Sequence, residues 1–291
     1  MDEPSTRAFR FVAEGGLTNQ ARARLASPLL VGSSWLISVA ACTGSRSLVH
    51  RLERTLGRLA ETVAGLRVEI HGIHHVDPKE QYVVVPLHEG LADAIALLRL
   101  PLGLRFAARD ELFEWPGLGR YLHATRHPMV DTAPSVGSVR RFLRQASSVF
   151  DDRDNLVIFA QGSILGLDVA FQPGAVRLAR RFGRPILPVV LTGSHRVWEQ
   201  PHSPRLRFGQ RVSMRVLEPI APAEINTSRF RRLEREMKQI ALDGDIASPR
   251  RFEPDRDGWW DGYRFEIDPD FPELKDRVAT HRRNRARSDA N

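Results

Sequence analysis

Apolar residues follow two patterns that alternate along most of this chain. Short apolar runs bounded by polar residues are typical of buried strands, and apolar residues at steps of three and four are typical of helices with one buried face. The first pattern occurs at 82–87, 156–159 and 186–191, and the second at 136–150, 175–182 and 230–242. Apolar and polar residues alternate at 68–70, which predicts a further strand, and at 205–217, which predicts a late strand or hairpin. Alternating strands and helices predict an α/β fold, a layered sheet with flanking helices.

The N-terminal part predicts two helices, at 20–43 and 46–65, after a weakly structured start at 1–20. No charged residue lies between Arg24 and Arg46, and arginines flank this apolar stretch on both sides. A spanning helix needs about 20 predominantly apolar residues, and serines dilute this stretch. The composition therefore favours a helix that lies in the membrane interface or dips into one leaflet, held by anionic headgroups. A helix packed on the α/β domain is the main alternative, and a true span is the third.

These patterns divide the chain into three predicted segments. Residues 1–65 are expected to form a helical, membrane-associating segment, and residues 66–245 the α/β domain. Residues 246–291 form an irregular extension that lacks any apolar period and ends in a basic tail.

The net charge of +8 predicts an anionic partner. A nucleic-acid-binding module is the alternative from another class of protein, but the basic residues are scattered, aromatic residues are not interleaved with them, and no recognition motif is present. The single cysteine, Cys42, excludes an internal disulfide framework and is predicted to be a packed thiol. His71, His74 and His75 share one loop, but no further ligand at a defined spacing accompanies them, so we expect a polar loop and no metal.

One histidine and one aspartate lie at a predicted strand-to-helix turn. His88 follows the valines at 83–85, and Asp93 lies five residues later, where helical spacing begins. On one regular helix, residues five apart are rotated by about 140° and cannot meet. If His88 is still in the loop and Asp93 is in the first helical turn, the carboxylate can reach one imidazole nitrogen and leave the other free as a base, as in hydrolase triads. A surface histidine beside a helix-start aspartate is the alternative.

The arrangement His-x-x-x-x-Asp after an apolar strand resembles the signature of the glycerolipid acyltransferase family, whose best-known members acylate 1-acylglycerol-3-phosphate. Further segments that resemble the family's other blocks follow in the family's order. They lie at 105–113 with 116–119, at 128–132, at 157–163 and at 185–190. The resemblance covers the middle of the chain, roughly 67–192, and little of either end.

The resemblance implies acyl transfer from a thioester donor, acyl-CoA or acyl carrier protein, to a hydroxyl of a lysolipid or related membrane lipid. His88 is then the general base, and Asp93 orients it and stabilises the imidazolium. Gly162 ends a strand, and backbone amides near it are expected to face the developing oxyanion; a tight turn is the alternative role. Substrate binding is expected at Asp131, Thr132, Gln161, Gly162 and Ser163. The protein is expected on the cytoplasmic side of a membrane, as a peripheral or monotopic protein. No cofactor and no nucleic-acid partner are expected.

Three positions depart from the family's pattern. Thr132 and Ile164 stand where the family carries arginines held to bind the acceptor's phosphate, and the neutral Gln161 replaces a glutamate. A guanidinium binds phosphate through paired hydrogen bonds that these side chains cannot make, so we expect an acceptor other than lysophosphatidate. Nearby arginines are candidate replacements as anion ligands or ordinary solvated charges, namely Arg126, Arg140 and Arg141. A degenerate homologue that binds lipid without turnover is the remaining alternative.

Overall fold

A six-stranded sheet forms the centre of the chain in the computed structural model, which describes residues 12–13, 17–162, 170–194, 197 and 205–243. The strands in chain order are β1 (Val12–Ala13), β2 (Arg67–His71), β3 (Val83–Pro86), β4 (Leu104–Phe106), β5 (Ala108–Arg109), β6 (Met129–Val130), β7 (Asn155–Val157), β8 (Ile186–Thr192), β9 (Arg205–Leu206) and β10 (Arg211–Val216). The six lie in the order β2-β10-β8-β3-β7-β4. β8, β3, β7 and β4 are parallel, so their carboxyl ends share one edge.

Helices cover both faces of this sheet. They are α1 (Leu17–Cys42), α2 (Arg46–Ala64), α3 (Ala92–Leu97), α4 (Leu118–Ala124), α5 (Val136–Asp151), α6 (Gly174–Phe182) and α7 (Thr227–Asp243), with short 3-10 turns at Ile73–His75, Asp110–Glu114 and Pro222–Glu224. The start of α5 shows how local sequence sets a boundary. The Ser135 hydroxyl accepts from the Ser138 amide at 3.1 Å, and the Ser138 hydroxyl accepts from the Ser135 amide at 2.7 Å, a reciprocal cap.

The hydrophobic core has two halves, one on each face of the sheet. In β3, Val84 packs on one face with Leu97 of α3, whereas Val83 and Val85 pack on the other face with residues of α5, α6 and α7. All residues of β3 are buried, as expected for parallel strands covered on both sides. The predicted α/β fold with flanking helices is therefore confirmed.

Helix α1 packs on the rest of the protein with one side only. Ile37 and Ala40 are buried against Val49 of α2, but Leu36 and Val39 are each 58% exposed. Among the described residues, α1 is the single helix whose length and apolar composition are sufficient to cross a membrane. Its serines do not interrupt it, because the Ser34 and Ser38 hydroxyls donate to carbonyls one turn earlier.

Residues 205–217 contain the late strand that was one of the two predicted alternatives, because β10 pairs with β2 and β8. Two other details differ from the sequence-based expectations. Within 1–20, which was expected to be weakly structured, Val12 and Ala13 pair with β9 and α1 begins at Leu17. Cys42 is exposed at the end of α1, so the prediction of a packed thiol was wrong. The predicted extension at 246–291 lies outside the described residues.

Candidate active site

The turn between β3 and α3 carries His88 and Asp93. The Leu87 amide still donates to the Val189 carbonyl at 2.9 Å, so the sheet ladder holds the chain up to the residue before His88. Helix α3 begins at Ala92 and places Asp93 in its first turn. The pair therefore lies beyond the carboxyl ends of the parallel strands, where α/β sheets place ligand-binding groups.

Asp93 Oδ2 lies 2.7 Å from His88 Nδ1, the contact that the five-residue spacing predicts. The same oxygen accepts from the Glu89 amide at 2.7 Å and from the Gly90 amide at 3.1 Å. Asp93 is fully buried, and the His88 side chain is 13% exposed. Because the carboxylate oxygen accepts, Nδ1 is the protonated ring nitrogen and Nε2 is left as an acceptor. Nε2 makes no hydrogen bond with any residue that the structure describes.

Two further contacts hold this turn in place. The imidazole of His88 stacks on the ring of Phe159, with 3.7 Å between the ring centroids and 23° between the planes. The buried Glu89 accepts from the Gly193 amide at 3.1 Å, which ties the turn to the end of the neighbouring strand β8. Sequence reasoning missed Phe159, although an aromatic residue directly after a buried strand at this edge is a detectable signal.

The residues of the 128–132 segment lie at the end of β6. Asp131 forms an ion pair with Arg141 of α5. The exposed Thr132 donates from its amide and its hydroxyl to Asp110 Oδ2, at 3.4 and 3.2 Å. Thr132 therefore lies against a carboxylate, which is unfavourable for an anion. Among the arginines considered as replacements, Arg126 lies 3.4 Å from Asp152.

The described part of the 157–163 segment lies next to His88 through Phe159. Gln161 is buried and Gly162 adopts a left-handed φ of +67°. The Gly162 amide donates to the Phe159 carbonyl at 3.0 Å, so it closes a tight turn. The proton of this amide is therefore used within the turn, and the expectation that other backbone amides near Gly162 face the developing oxyanion stays a prediction. Ser163 and Ile164 lie outside the described residues.

A cluster of charged side chains is buried behind β4. Arg105 lies 2.9 Å from both Glu53 of α2 and Asp154. Tyr121 donates to Glu53 at 2.9 Å, and burial raises the pKa of Tyr121 well above its usual value, as does the negative charge of Glu53. The sequence sign of this cluster is a single arginine between apolar residues of a short strand.

The histidine-rich loop contains the short 3-10 turn Ile73–His75. The rings of His74 and His75 pack against each other, with centroids 4.2 Å apart. Among the described residues, no three histidine, cysteine or acidic side chains are grouped closely enough to hold a metal ion. The expectation that the loop binds no metal stays a prediction.

The comparisons with known proteins point to one family. Residues 67–192 match the family model described as Acyltransferase. These residues therefore resemble an acyltransferase domain. The matched range includes the turn with His88 and Asp93 and the segments at 105–113, 128–132, 157–163 and 185–190, so the resemblance to glycerolipid acyltransferases is confirmed.

Individual relatives of this acyltransferase domain carry one name. A 1-acyl-sn-glycerol-3-phosphate acyltransferase from Limnanthes alba is 26% identical over 148 residues, which cover 50% of this chain and 52% of the relative. The alpha form from Mus musculus is also 26% identical, over 64% of this chain and 66% of its own length. The chain thus spans about half to two thirds of the length of these relatives.

The acyltransferase domain also resembles a solved structure. The 1-acyl-sn-glycerophosphate acyltransferase PlsC from Thermotoga maritima superposes with a TM-score of 0.64. The alignment covers 79% of this chain and 97% of PlsC at 20% sequence identity. At this identity the likeness establishes a shared fold.

Proposed function

We propose that this protein transfers a fatty acyl group from a thioester donor, acyl-CoA or acyl carrier protein, to a hydroxyl of a lysolipid or related lipid. The observation that carries the proposal is the 2.7 Å contact between His88 Nδ1 and a buried Asp93, inside a domain of the acyltransferase family. The names of the relatives support a lysolipid acceptor.

The proposed reaction uses Nε2 of His88 as the general base. Nε2 takes the proton of the acceptor hydroxyl while the hydroxyl oxygen attacks the thioester carbonyl carbon. The carbon–sulfur bond of the resulting tetrahedral intermediate then breaks, the new ester forms, and the imidazolium returns its proton to the leaving thiolate. Asp93 holds the ring in one tautomer and stabilises the imidazolium, and it keeps its own charge throughout.

A covalent acyl-enzyme is not needed in this scheme. The thioester is already activated, and the acceptor hydroxyl acts as the nucleophile directly. The contacts of His88 fit this order, because its described partners are a carboxylate, which occupies Nδ1, and an aromatic ring, which covers one face.

The proposed location is a membrane surface on the cytoplasmic side. Contact with a membrane surface is supported by α1, which exposes Leu36 and Val39. In the same helix Trp35 is half-exposed, and the guanidinium carbon of Arg120 lies 3.9 Å from the centroid of its ring. Such a pair is typical of the lipid headgroup region, because tryptophan has an amphipathic ring and arginine binds anionic headgroups.

The experiment that tests the function uses the purified full-length chain. It is incubated with a radiolabelled acyl group on coenzyme A or on acyl carrier protein, together with a lipid-extract acceptor pool. We expect labelled lipid and an equal amount of free thiol, with one donor preferred. Binding of lipid without transfer from either donor would instead support the degenerate homologue. Salt-dependent nucleic-acid binding that survives loss of His88 would support the basic binding module.

A further inference from the structure

Four aromatic rings form a row along the edge of the sheet where its parallel strands end. The His88 imidazole lies on Phe159, with centroids 3.7 Å apart. Phe159 faces Phe106 at 6.5 Å and 16°, and Phe106 faces His127 at 5.8 Å and 6°. His88 follows β3, Phe159 follows β7 and Phe106 ends β4, which are neighbouring strands. We name these four residues the ring row.

The far end of the ring row is fixed inside the protein. His127 Nδ1 accepts from the Phe106 amide at 2.9 Å, so His127 holds the residue whose ring it faces. Its Nε2 lies 3.2 Å from the Tyr121 hydroxyl, which in turn donates to Glu53. Burial, with the positive charge of Arg105, holds the pKa of His127 well below its usual value. The neutral ring carries its proton on Nε2, and both of its nitrogens are hydrogen-bonded.

We infer that the ring row positions the His88 imidazole for catalysis. Phe159 is a positioning residue that contacts His88 directly, and His127 is one that acts through Phe106. This inference rests on the proposed acyl transfer. The hydrogen bond from Nδ1 to Asp93 fixes one corner of the imidazole but leaves the ring able to tilt about that bond. A ring that lies against its face removes this tilt, so Nε2 keeps a single direction.

The same contact favours the charged form that the reaction requires. The face of an aromatic ring attracts a cation, because its quadrupole is negative above the plane. In the proposed reaction, His88 gains a positive charge when it takes the acceptor's proton. The attraction to Phe159 is therefore stronger in the intermediate than in the resting enzyme, which is the condition for a contact to raise kcat.

A matched control for Phe159 lies in the same fold. Phe182 at the end of α6 is also half-buried, and its ring centroid lies 5.1 Å from that of Phe150. Replacement of either phenylalanine by leucine removes an aromatic contact of similar kind. Of these two phenylalanines, Phe159 contacts His88 and Phe182 does not. A difference in kcat between the two variants therefore reports on the positioning of His88 and not on packing.

The first test compares steady-state kinetics of the full-length Phe159→Leu, Phe159→Tyr and Phe182→Leu variants with acyl-CoA and a lysolipid. We expect Phe159→Leu to lower kcat about 10- to 100-fold, with both KM values changed less than about twofold. Phe159→Tyr restores most of kcat, and Phe182→Leu keeps it. His127→Asn retains an acceptor for the Phe106 amide but has no ring, and it lowers kcat about 3- to 10-fold. Wild-type kcat in Phe159→Leu, or an equal loss in Phe182→Leu, overturns the inference.

The second test does not depend on turnover. In the chain labelled with ¹³C,¹⁵N-histidine, the ring protons of His88 are shifted upfield by the Phe159 ring current, and Phe159→Leu removes this shift. An unchanged His88 resonance overturns the inference. Absence of acyl transfer by the wild-type chain, in contrast, defeats the proposed function and leaves this spectral result to decide on the ring row. If Phe159→Leu loses cooperative thermal unfolding, His127→Asn carries the test, and wild-type kcat in that variant overturns the inference.

Discussion

The nitrogens of His88 and His127 have opposite hydrogen-bonding roles. His88 Nδ1 faces a carboxylate and carries the proton, which leaves Nε2 as an acceptor. His127 Nδ1 accepts from the Phe106 amide, so Nε2 carries the proton and is hydrogen-bonded to Tyr121. One imidazole therefore has an acceptor nitrogen available at the site, as the proposed function requires, and the other stays neutral inside the core. The neighbours of each ring set this difference.

The neutral state of His127 predicts a pH-dependent stability. In the unfolded chain this histidine takes up a proton near pH 6.5, whereas burial lowers its pKa in the folded state. Its contribution is therefore fully present above about pH 6.5 and is lost as the pH falls toward the folded pKa, with a slope of up to about 1.4 kcal/mol per pH unit. Urea unfolding between pH 7 and pH 5 should show this loss, and His127→Asn should reduce the slope. The exposed His74→Asn is the control, and an equal slope in wild type and His127→Asn would contradict the prediction.

The arginines near Thr132 predict the choice of acceptor. Arg141 is paired with Asp131 and Arg126 lies near Asp152, whereas Arg140 is exposed and has no ion-pair partner among the described residues. A guanidinium–phosphate hydrogen bond contributes about 1.5–3 kcal/mol, and about 1.4 kcal/mol is tenfold in affinity. Because Thr132 and Ile164 stand where the family carries two such guanidiniums, we expect at least about a tenfold preference for an acceptor without a free phosphomonoester.

The acceptor assay places lysophosphatidate in competition with neutral lysolipids and with lysophospholipids whose phosphate is esterified, at equal concentrations. The Arg140→Gln variant should keep the wild-type preference. A clear preference for lysophosphatidate that Arg140→Gln abolishes would show that the phosphate-binding function has moved to Arg140, against our expectation.

At the level of elements, the features that depend on residues close together in the sequence could be predicted. The three valines of β3, the reciprocal serine cap of α5 and the five-residue spacing of His88 and Asp93 all act within one or two turns of chain, and their consequences were predictable. The pairing of β10 with β2 and β8 was not, because register depends on strands far apart in sequence. The ring row joins residues from four separate segments, so no window of sequence contains it.

The link between α2 and the sheet predicts a large loss of stability on one substitution. Arg105 is buried and paired with both Glu53 and Asp154, so Arg105→Met leaves two buried carboxylates without their cation. We expect the free energy of unfolding to fall by about 3–5 kcal/mol in urea titrations. The control is Arg46→Met, since Arg46 also joins α2 to an aspartate, Asp152, but in an exposed ion pair worth about 0–1 kcal/mol. Equal losses in the two variants would contradict this account of Arg105.

For the whole molecule, the net charge and the exposed side of α1 predict membrane association. Leu36 and Val39 are each 58% exposed, and they lie on a helix whose other side is buried against α2. Leu36→Asp with Val39→Asp should reduce flotation with anionic liposomes by removing apolar contact while leaving the packed side of α1 unchanged. Deletion of residues 1–45 should reduce it further.

The control for the liposome assay is Val139→Asp, which changes an exposed valine of α5 that is 49% accessible. This variant should float like the wild type. Equal flotation of the α1 double variant and the wild type would place the membrane contact elsewhere on the molecule.

The central claim is that His88 is the base of an acyltransferase, and kcat of His88→Ala measures it most directly. With labelled acyl thioester and lysolipid, we expect transfer to fall to the rate without enzyme, while thermal unfolding stays cooperative and His74→Ala keeps wild-type activity. Asp93→Asn should lower kcat by about 10⁴-fold, as in hydrolase triads, because the wrong tautomer is then favoured. Turnover by folded His88→Ala near that of the wild type would contradict the account.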